Sequence, residues 1–179
     1  MGESAAPHPP PLRAHLLGPV RLAVGDRPIP DVAWPRRTAR AVLLLLLTAP
    51  GHRLPRERVL DLLWPESPPA AAANALGVAL HALRRVLEPD LAAGRPSAYV
   101  VAAGDAVALR PEPGLWVDAD AFEATLMRAG AMPAAERAAV LREALALYGG
   151  ELLADEADGD WPVARRERLR RAARRATLD

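Results

Sequence analysis

The stretch AANALGVALHALRRVLEP, from Ala72 to Pro89, has the apolar spacing of a helix with one buried face. At about 100° per residue, its four leucines fall within one narrow stripe. Four other residues cluster on the opposite side, namely Asn74, Val78, His81 and Arg85. We therefore predict a helix over about 69–87 with one face toward a core and one facing outward. Ser67 is its predicted N-cap, and prolines suit its first turn.

The residues before this helix predict short strands followed by two helices. RAHLLGPVRLAVGDRPIP alternates apolar with other residues around glycine-containing turns, which indicates strands near 13–17, 20–24 and 28–30. WPRRTARAVLLLLLTAPG predicts a helix over about 35–49 that is apolar all round at its centre and therefore deeply buried. RERVLDLLW predicts a second helix over about 55–64, which Pro65 ends.

The residues after the helix predict a hairpin and then a purely helical region. AYVVAA and AVALRP are strand-like runs joined by Gly104-Asp105, which indicates a β-hairpin over 98–110. PEPGLW is interpreted as a linker. DADAFEATLMRAG and PAAERAAVLREALALYGG each predict a helix that ends at glycine, and a third helix is expected from near Asp160 to the end.

Composition limits the classes of protein to be considered. There is no cysteine, which excludes disulfides, thiolate metal sites and cysteine nucleophiles. All 23 basic residues are arginine, which a GC-rich genome produces as readily as nucleic-acid binding does. Residues 1–111 carry 13 arginines against 9 acids, whereas residues 112–179 carry 10 against 13. The first part is therefore better suited to a polyanionic partner.

Strands, three helices and a hairpin are the element order of a winged helix-turn-helix, whose third helix enters the major groove. The segments LLGPVRLAVGDRPIP, WPRRTARAVLLLLLTAPGHRLPRERVLDLLWPE and ANALGVALHALRRVLEP resemble the N-terminal domain of the AfsR/DnrI/RedD-type regulators. These are the actinobacterial antibiotic regulatory proteins (SARP). The segments LWVDADAFEATL, REALALYGGELL and DWPVARRERLR resemble the helical bacterial transcriptional activation domain that follows in that family.

The resemblance implies an α+β fold, in which an OmpR-like winged helix-turn-helix precedes an all-α, TPR-like helical domain. It divides the chain into a flexible leader at 1–11, a winged helix DNA-binding domain at 12–111 and a helical activation domain at 117–179. Two features depart from the family. Gly77 and Ala82 stand where relatives often carry polar or basic residues, and the helical domain stops after about three helices, so we expect it to be incomplete.

The resemblance also implies a function. It is that of a sequence-specific DNA-binding transcriptional regulator, an activator of a biosynthetic gene cluster, with the third helix in the major groove and the hairpin wing on the backbone. The implied partners are double-stranded DNA with promoter repeats, RNA polymerase and a second copy on DNA. The expected DNA-binding residues are Arg56, Asn74, Val78, His81, Arg84 and Arg85. The alternative is a helical protein-interaction module whose winged helix has lost strong DNA binding.

Each candidate residue also has a structural interpretation. Asn74 and His81 are each compatible with simple solvation, and the Arg84-Arg85 pair suits the carboxyl end of a helix dipole. Arg56 is expected to meet a phosphate together with free backbone N–H groups. Two further sets of arginines are compatible either with a solvated helix face or with a binding role. The first set is Arg36, Arg37 and Arg40. The second set is the seven arginines between 165 and 175, which follow the acidic residues Asp155, Glu156, Asp158 and Asp160.

The sequence does not indicate an enzyme. Asp120 and Glu123 have the spacing of a capping box, a better interpretation of this segment than a catalytic or metal pair of Asp118 with Asp120. The four histidines lack HExxH spacing, and no glycine-rich phosphate loop is present. We expect no catalytic residues, no metal and no cofactor. The apolar run AVLLLLL is too short to span a bilayer, so a cytoplasmic protein without a membrane partner is expected.

Overall fold

The structure is a computed structural model that describes residues 9–112, 114–156 and 161–178. Most of the leader at 1–11 lies outside these residues, as do Asp158 and Asp160. The strands are β1 (Leu12–His15), β2 (Arg21–Val24), β3 (Arg27–Ile29), β4 (Arg53–Pro55), β5 (Val100–Ala103), β6 (Ala106–Leu109) and β7 (Leu115–Val117). The helices are α1 (Arg37–Thr48), α2 (Arg56–Leu63), α3 (Pro69–Leu87), α4 (Asp118–Gly130), α5 (Ala134–Leu147) and α6 (Val163–Leu178). No helix within this part of the chain is long and apolar enough to cross a membrane.

Helix α1 lies at the centre of the core that it forms with α2, α3 and β6. Its central run of leucines is apolar on every side, and each residue from Val42 to Thr48 is buried. The Thr48 hydroxyl donates to the carbonyl oxygen of Leu44 at 2.8 Å, so this polar side chain is satisfied within the helix. α1 packs against α2, α3 and β6, and these elements form the predicted winged helix.

The hairpin of this winged helix is formed by β5 and β6. Val101 lies opposite Ala108, and the turn contains Gly104 with a φ of 61°, a conformation that glycine adopts without strain. β4 extends the sheet to the order β4-β6-β5, with Arg53 opposite Ala108. A second sheet has the order β3-β2-β1-β7.

Two strands were not predicted. β4 and β7 have three residues each, which is too short for an alternating pattern to emerge. The interpretation of PEPGLW as a linker is wrong at its end, because Leu115 begins strand β7. Short segments of this kind become strands through pairing with distant residues, which a local pattern does not encode.

Helices α4, α5 and α6 form the helical region. Phe122 of α4 is fully buried, and its ring lies 5.4 Å from that of Tyr148. α5 is only thinly covered, since Leu141 and Ala144 are its only buried residues. A small apolar cluster joins Leu141 to Ala129 and Ala176.

Residues 16–18 also form backbone contacts with the helical region. The Leu153 N–H donates to the carbonyl oxygen of Leu16 at 2.7 Å, and the Gly18 N–H donates to that of Glu151 at 2.9 Å. A Cβ at Gly149 would lie 2.9 Å from the Leu17 carbonyl oxygen, so glycine permits this close approach.

Contacts divide the chain into two compact units. One contains Ala23–Leu115 with the residues up to Arg13, and the other contains Ala14–Leu22 with Trp116 onward. The boundaries expected from the sequence place residues 14–22 with the winged helix instead. The division into 12–111 and 117–179 remains a prediction about independently folding parts.

Candidate nucleic-acid interface

Helix α3 presents the face that the sequence predicts. Its four stripe leucines are at most 4% exposed, namely Leu76, Leu80, Leu83 and Leu87. On the opposite face, Asn74, His81 and Arg85 are exposed, and Val78 is 38% exposed. The helix begins at Pro69 with Pro68 as its N-cap, so the prediction of Ser67 in that position is wrong. Proline fits here because the first turn needs no N–H donor from it.

The two small residues of α3 differ in their positions. Gly77 is exposed beside Val78, so it does leave the outward face short of polar groups. Ala82, in contrast, is buried and belongs to the core side. Ala82 is therefore not a missing DNA contact, and only Gly77 weakens this face.

A basic groove adjoins the carboxyl half of α3. It has a volume of about 750 Å³ and lies between α3, the connection to β5 and the strand β5 itself. Its basic lining consists of His81, Arg84, Arg85, Arg95 and Arg110. The sequence identified the first three of these. Arg95 and Arg110 were missed because one lies in an irregular loop and the other follows a strand, where no helical spacing links them to α3.

The two adjacent arginines of α3 have different environments. Arg84 is half-buried, and its Nε atom is buried with no hydrogen-bond partner among the described residues. Arg85 is exposed, and its Nη1 donates to the carbonyl oxygen of Leu91 at 2.9 Å. An unsatisfied guanidinium nitrogen is costly, and an anion in the groove would be a suitable acceptor for Arg84.

The end of α3 is held by side chains that were not singled out from the sequence. Arg27 of β3 donates from Nη2 to the carbonyl oxygens of Val86 and Leu87, at 3.1 and 2.8 Å. These carbonyls belong to the last turn of α3, which lacks partners within the helix. A cation is also favourable at this end of the helix dipole. Arg27 therefore fixes the end of α3 from which the groove begins.

The connection from α3 to β5 is fixed by a second set of hydrogen bonds. The Glu88 carboxylate accepts from the Ser97 hydroxyl and, at 2.9 Å, from the Ala98 N–H. The buried Ser97 oxygen in turn accepts from the N–H groups of Tyr99 and Val100, both at 3.1 Å. The loop that carries Arg95 is thus anchored at both ends.

Tyr99 closes this network. Its hydroxyl donates to the carbonyl oxygen of Pro10 at 2.6 Å. Burial raises the pKa of Tyr99, the negative charge of Glu88 raises it further, and Arg27 opposes both. Tyr99 is therefore held in its protonated, donating form.

Arg56 begins α2, as the sequence predicts, and its own backbone N–H is already engaged. Its backbone N–H donates to the carbonyl oxygen of Asp105, in the hairpin turn, at 2.6 Å. That N–H is therefore not free for a phosphate. The half-buried side chain of Arg56 remains available as a candidate contact.

The basic residues at the start of α1 are also partly engaged. Arg40 forms an ion pair with Asp31 at 3.4 Å, and its side chain is only 16% exposed. Arg36 and Arg37 are exposed. The structure therefore favours the structural interpretation for Arg40.

The carboxylates at the start of α4 serve structural roles. Asp118 is buried and accepts the N–H groups of Leu16, Leu17 and Ala119, at 2.8, 3.0 and 2.7 Å. Asp118 is the first residue of α4 and Val117 is its N-cap, with no side-chain capping bond.

The capping box predicted for Asp120 and Glu123 is therefore wrong. Both carboxylates instead accept from Arg165 of α6, Glu123 at 2.8 Å. Burial opposes the charge of Arg165, but its hydrogen bond to Asp120 and the charges of both partners raise its pKa overall. Within the described residues, no group of three or more histidine, aspartate or glutamate side chains is arranged to hold a metal ion.

Comparison with known proteins finds a family that the helical region resembles and a solved structure with a similar fold. Residues 117–178 match the family described as Bacterial transcriptional activator domain (BTAD). No curated protein matches the sequence.

The fold as a whole is similar to that of Mycobacterium tuberculosis EmbR, solved in complex with a low-affinity phosphopeptide. The TM-score is 0.71 at 24% identity, and the match covers 93% of this chain and 43% of EmbR. The chain thus spans less than half of the length of that protein. The family match over residues 117–178 and the shared fold agree with the predicted resemblance to SARP-type regulators, which have a winged helix followed by a helical region.

Proposed function

We propose that the chain is a sequence-specific DNA-binding regulator that places α3 in the major groove. The observation that carries this proposal is the basic groove beside the exposed face of α3, within one compact unit. A B-DNA major groove admits an α-helix, and the flanking phosphates require cationic side chains. The two surfaces together provide both kinds of contact.

The exposed residues of α3 divide into two roles. Asn74 and His81 face the base edges, and an asparagine amide is suited to a bidentate contact with adenine. Val78 supplies an apolar contact of the kind that a thymine methyl accepts. Arg84, Arg85 and Arg56 act on phosphates, which fix the orientation of the helix but not the choice of sequence.

Arg95 and Arg110 extend the phosphate contacts beyond the expected residues. They line the same groove from elements other than α3, Arg95 from the connection to β5 and Arg110 from the residue after β6. A phosphate in the groove would be reached from two directions. The hairpin wing then follows the DNA backbone.

A salt titration of binding to promoter fragments tests this proposal. Affinity should fall with salt, at a log–log slope of about −0.9 for each phosphate neutralised. Arg95→Ala and Arg110→Ala should each weaken binding to all sequences and reduce the slope by about 1. Arg137→Ala, an exposed arginine in α5, is the matched control. Binding that is absent at low salt, or that does not change across the series, would refute the proposal.

Sequence discrimination has a test of its own. Asn74→Ala should reduce the preference for the best site over a mismatched site by about 1–3 kcal/mol, whereas Arg85→Ala should weaken both sites alike. Competition binding with the two duplexes measures the difference. An equal loss at both sites in Asn74→Ala would remove Asn74 from base recognition.

The helical domain completes the proposed activity. Its family supports a role in activation, and we assign it contact with RNA polymerase at the promoter of a biosynthetic gene cluster. Binding to promoter repeats would place two copies side by side as a homodimer on DNA, in the cytoplasm. Transcription from such a promoter in vitro, with and without residues 117–179, tests this assignment.

One observation favours a second candidate function. Gly77 and Val78 occupy the middle of the outward face of α3, and Arg85 is engaged by Leu91. A protein-interaction module that no longer binds DNA strongly would show these features. The same salt titration separates the two candidates, because such a module would not bind promoter DNA even at low salt.

A further inference from the structure

Helix α6 carries more positive charge than its neighbours neutralise. It contains seven arginines and one glutamate. Two glutamates each serve two of these arginines, Glu123 with Arg165 and Arg168, and Glu167 with Arg170 and Arg171. Arg174 and Arg175 have no ion-pair partner within the described residues. The helix therefore retains a positive surface.

Part of this surface is a shallow groove along the exposed side of α6. Its volume is about 560 Å³, and Arg168, Arg171 and Arg175 are among the residues that line it. Leu178 follows Arg171 and Arg175 on the same side of the helix and is 87% exposed. An apolar side chain thus stands at one end of a row of arginines.

Helix α4 pairs with α6 and carries a second exposed apolar side chain. Glu123 of α4 pairs with Arg168, and further along both helices Ala129 and Ala176 share one apolar cluster. The two helices therefore run side by side in the same direction. Met127 lies one turn after Glu123 on the same face of α4, and it is 74% exposed.

We infer that these five residues, Met127, Arg168, Arg171, Arg175 and Leu178, form a docking surface for an acidic protein segment that also carries apolar side chains. We call it the basic–apolar face. Its arginines match carboxylates, and methionine suits irregular apolar partners because its side chain is flexible. An acidic amphipathic helix presents both kinds of group at helical spacing.

The composition of this face favours protein over DNA as the occupant. Met127 and Leu178 would have no partner on a phosphate backbone, whereas an amphipathic helix would cover them. The inference does not depend on DNA binding by α3, because all of its residues belong to the helical unit.

Fluorescence anisotropy with the full chain tests the inference. The probe is a labelled helical peptide with leucines along one face and glutamates on either side, and a second peptide replaces every glutamate by glutamine. The glutamate peptide should bind, more weakly as salt rises, and the glutamine peptide should bind at least about fivefold more weakly. Equal binding of the two peptides would overturn the inference.

Matched variants locate the binding. Arg175→Gln and Met127→Ser should each weaken binding of the glutamate peptide by about threefold, and the double variant should weaken it by about tenfold. The controls are Arg142→Gln and Val32→Ser, an exposed arginine of α5 and an apolar residue that is 93% exposed. An equal loss in the controls would overturn the inference. Competition with duplex DNA provides one more test. If duplex DNA displaces the peptide from the unchanged chain and Arg175→Gln prevents this displacement, the face binds DNA and the inference is overturned.

Discussion

The Nη2 atom of Arg27 lies 2.8 Å from the carbonyl oxygen of Leu87, the last residue of α3. Strand β3 thereby holds the helix end that is followed directly by Glu88 and the connection to the basic groove. Arg27 is not among the expected DNA contacts, yet it fixes the end of the helix on which we propose that they lie. Arg27 acts through α3 and does not itself line the basic groove.

Replacing Arg27 should affect both stability and DNA binding. Arg27→Ala leaves the last carbonyls of α3 without this donor, which we expect to cost about 1–2 kcal/mol in the free energy of unfolding. Urea unfolding measures that loss, and Arg21→Ala, exposed on the neighbouring strand, is the control. If Arg27→Ala is as stable as Arg21→Ala and binds promoter DNA with the same salt slope, Arg27 has no positioning role.

Asp118 should be among the most sensitive residues of the helical unit. Asp118→Ala removes the acceptor of the buried Leu16 and Leu17 N–H groups, and we expect a loss of about 3 kcal/mol in the free energy of unfolding. Asp118→Asn keeps one carbonyl oxygen as an acceptor, so it should lower the free energy of unfolding by a smaller amount. Asp155→Ala, at an exposed position, is the control in thermal or urea unfolding. A loss in Asp118→Ala no larger than the control would show that water satisfies these N–H groups.

Tyr99 should lose its proton at a higher pH in the folded chain than in the unfolded chain, and this should make the fold less stable at alkaline pH. Burial raises the pKa of Tyr99 above its ordinary value, so the folded chain keeps its proton where the unfolded chain begins to lose it. The free energy of unfolding should therefore fall as the pH rises above about 10.

The tyrosinate absorbance measures this directly. The chain has two tyrosines, so Tyr148→Phe leaves Tyr99 as the sole signal. Its transition should lie above that of the same variant unfolded in urea. Coincident transitions in the two states would contradict the prediction.

The helical unit should be less stable than the winged helix. α5 buries only Leu141 and Ala144, whereas α1 buries every residue from Val42 to Thr48. Hydrogen exchange should therefore show weaker protection of the amides over 134–148 than over 41–47. Equal protection in a monomer would show that the helical unit is already fully stabilised.

The sequence predicted the elements whose signal is local. The 3.6-residue period located α3 and its outward Asn74 and His81, and the leucine run located α1. The groove was only half predicted, because Arg95 and Arg110 reach it through tertiary packing that no spacing expresses. Asp120 and Glu123 show the same limit: their spacing fits a capping box, but Arg165, more than forty positions away, offers charged hydrogen bonds that a local pattern does not reveal.

The pairing of Leu16 and Gly18 with Leu153 and Glu151 has a consequence for how the chain is made. A ribosome releases residues 14–22 before the rest of the winged helix, but their hydrogen-bond partners emerge more than a hundred residues later. Closing so long a loop is entropically costly and slow. The nascent winged helix therefore has time to collapse first, and the helical unit is completed only after residues 151–153 have been synthesised.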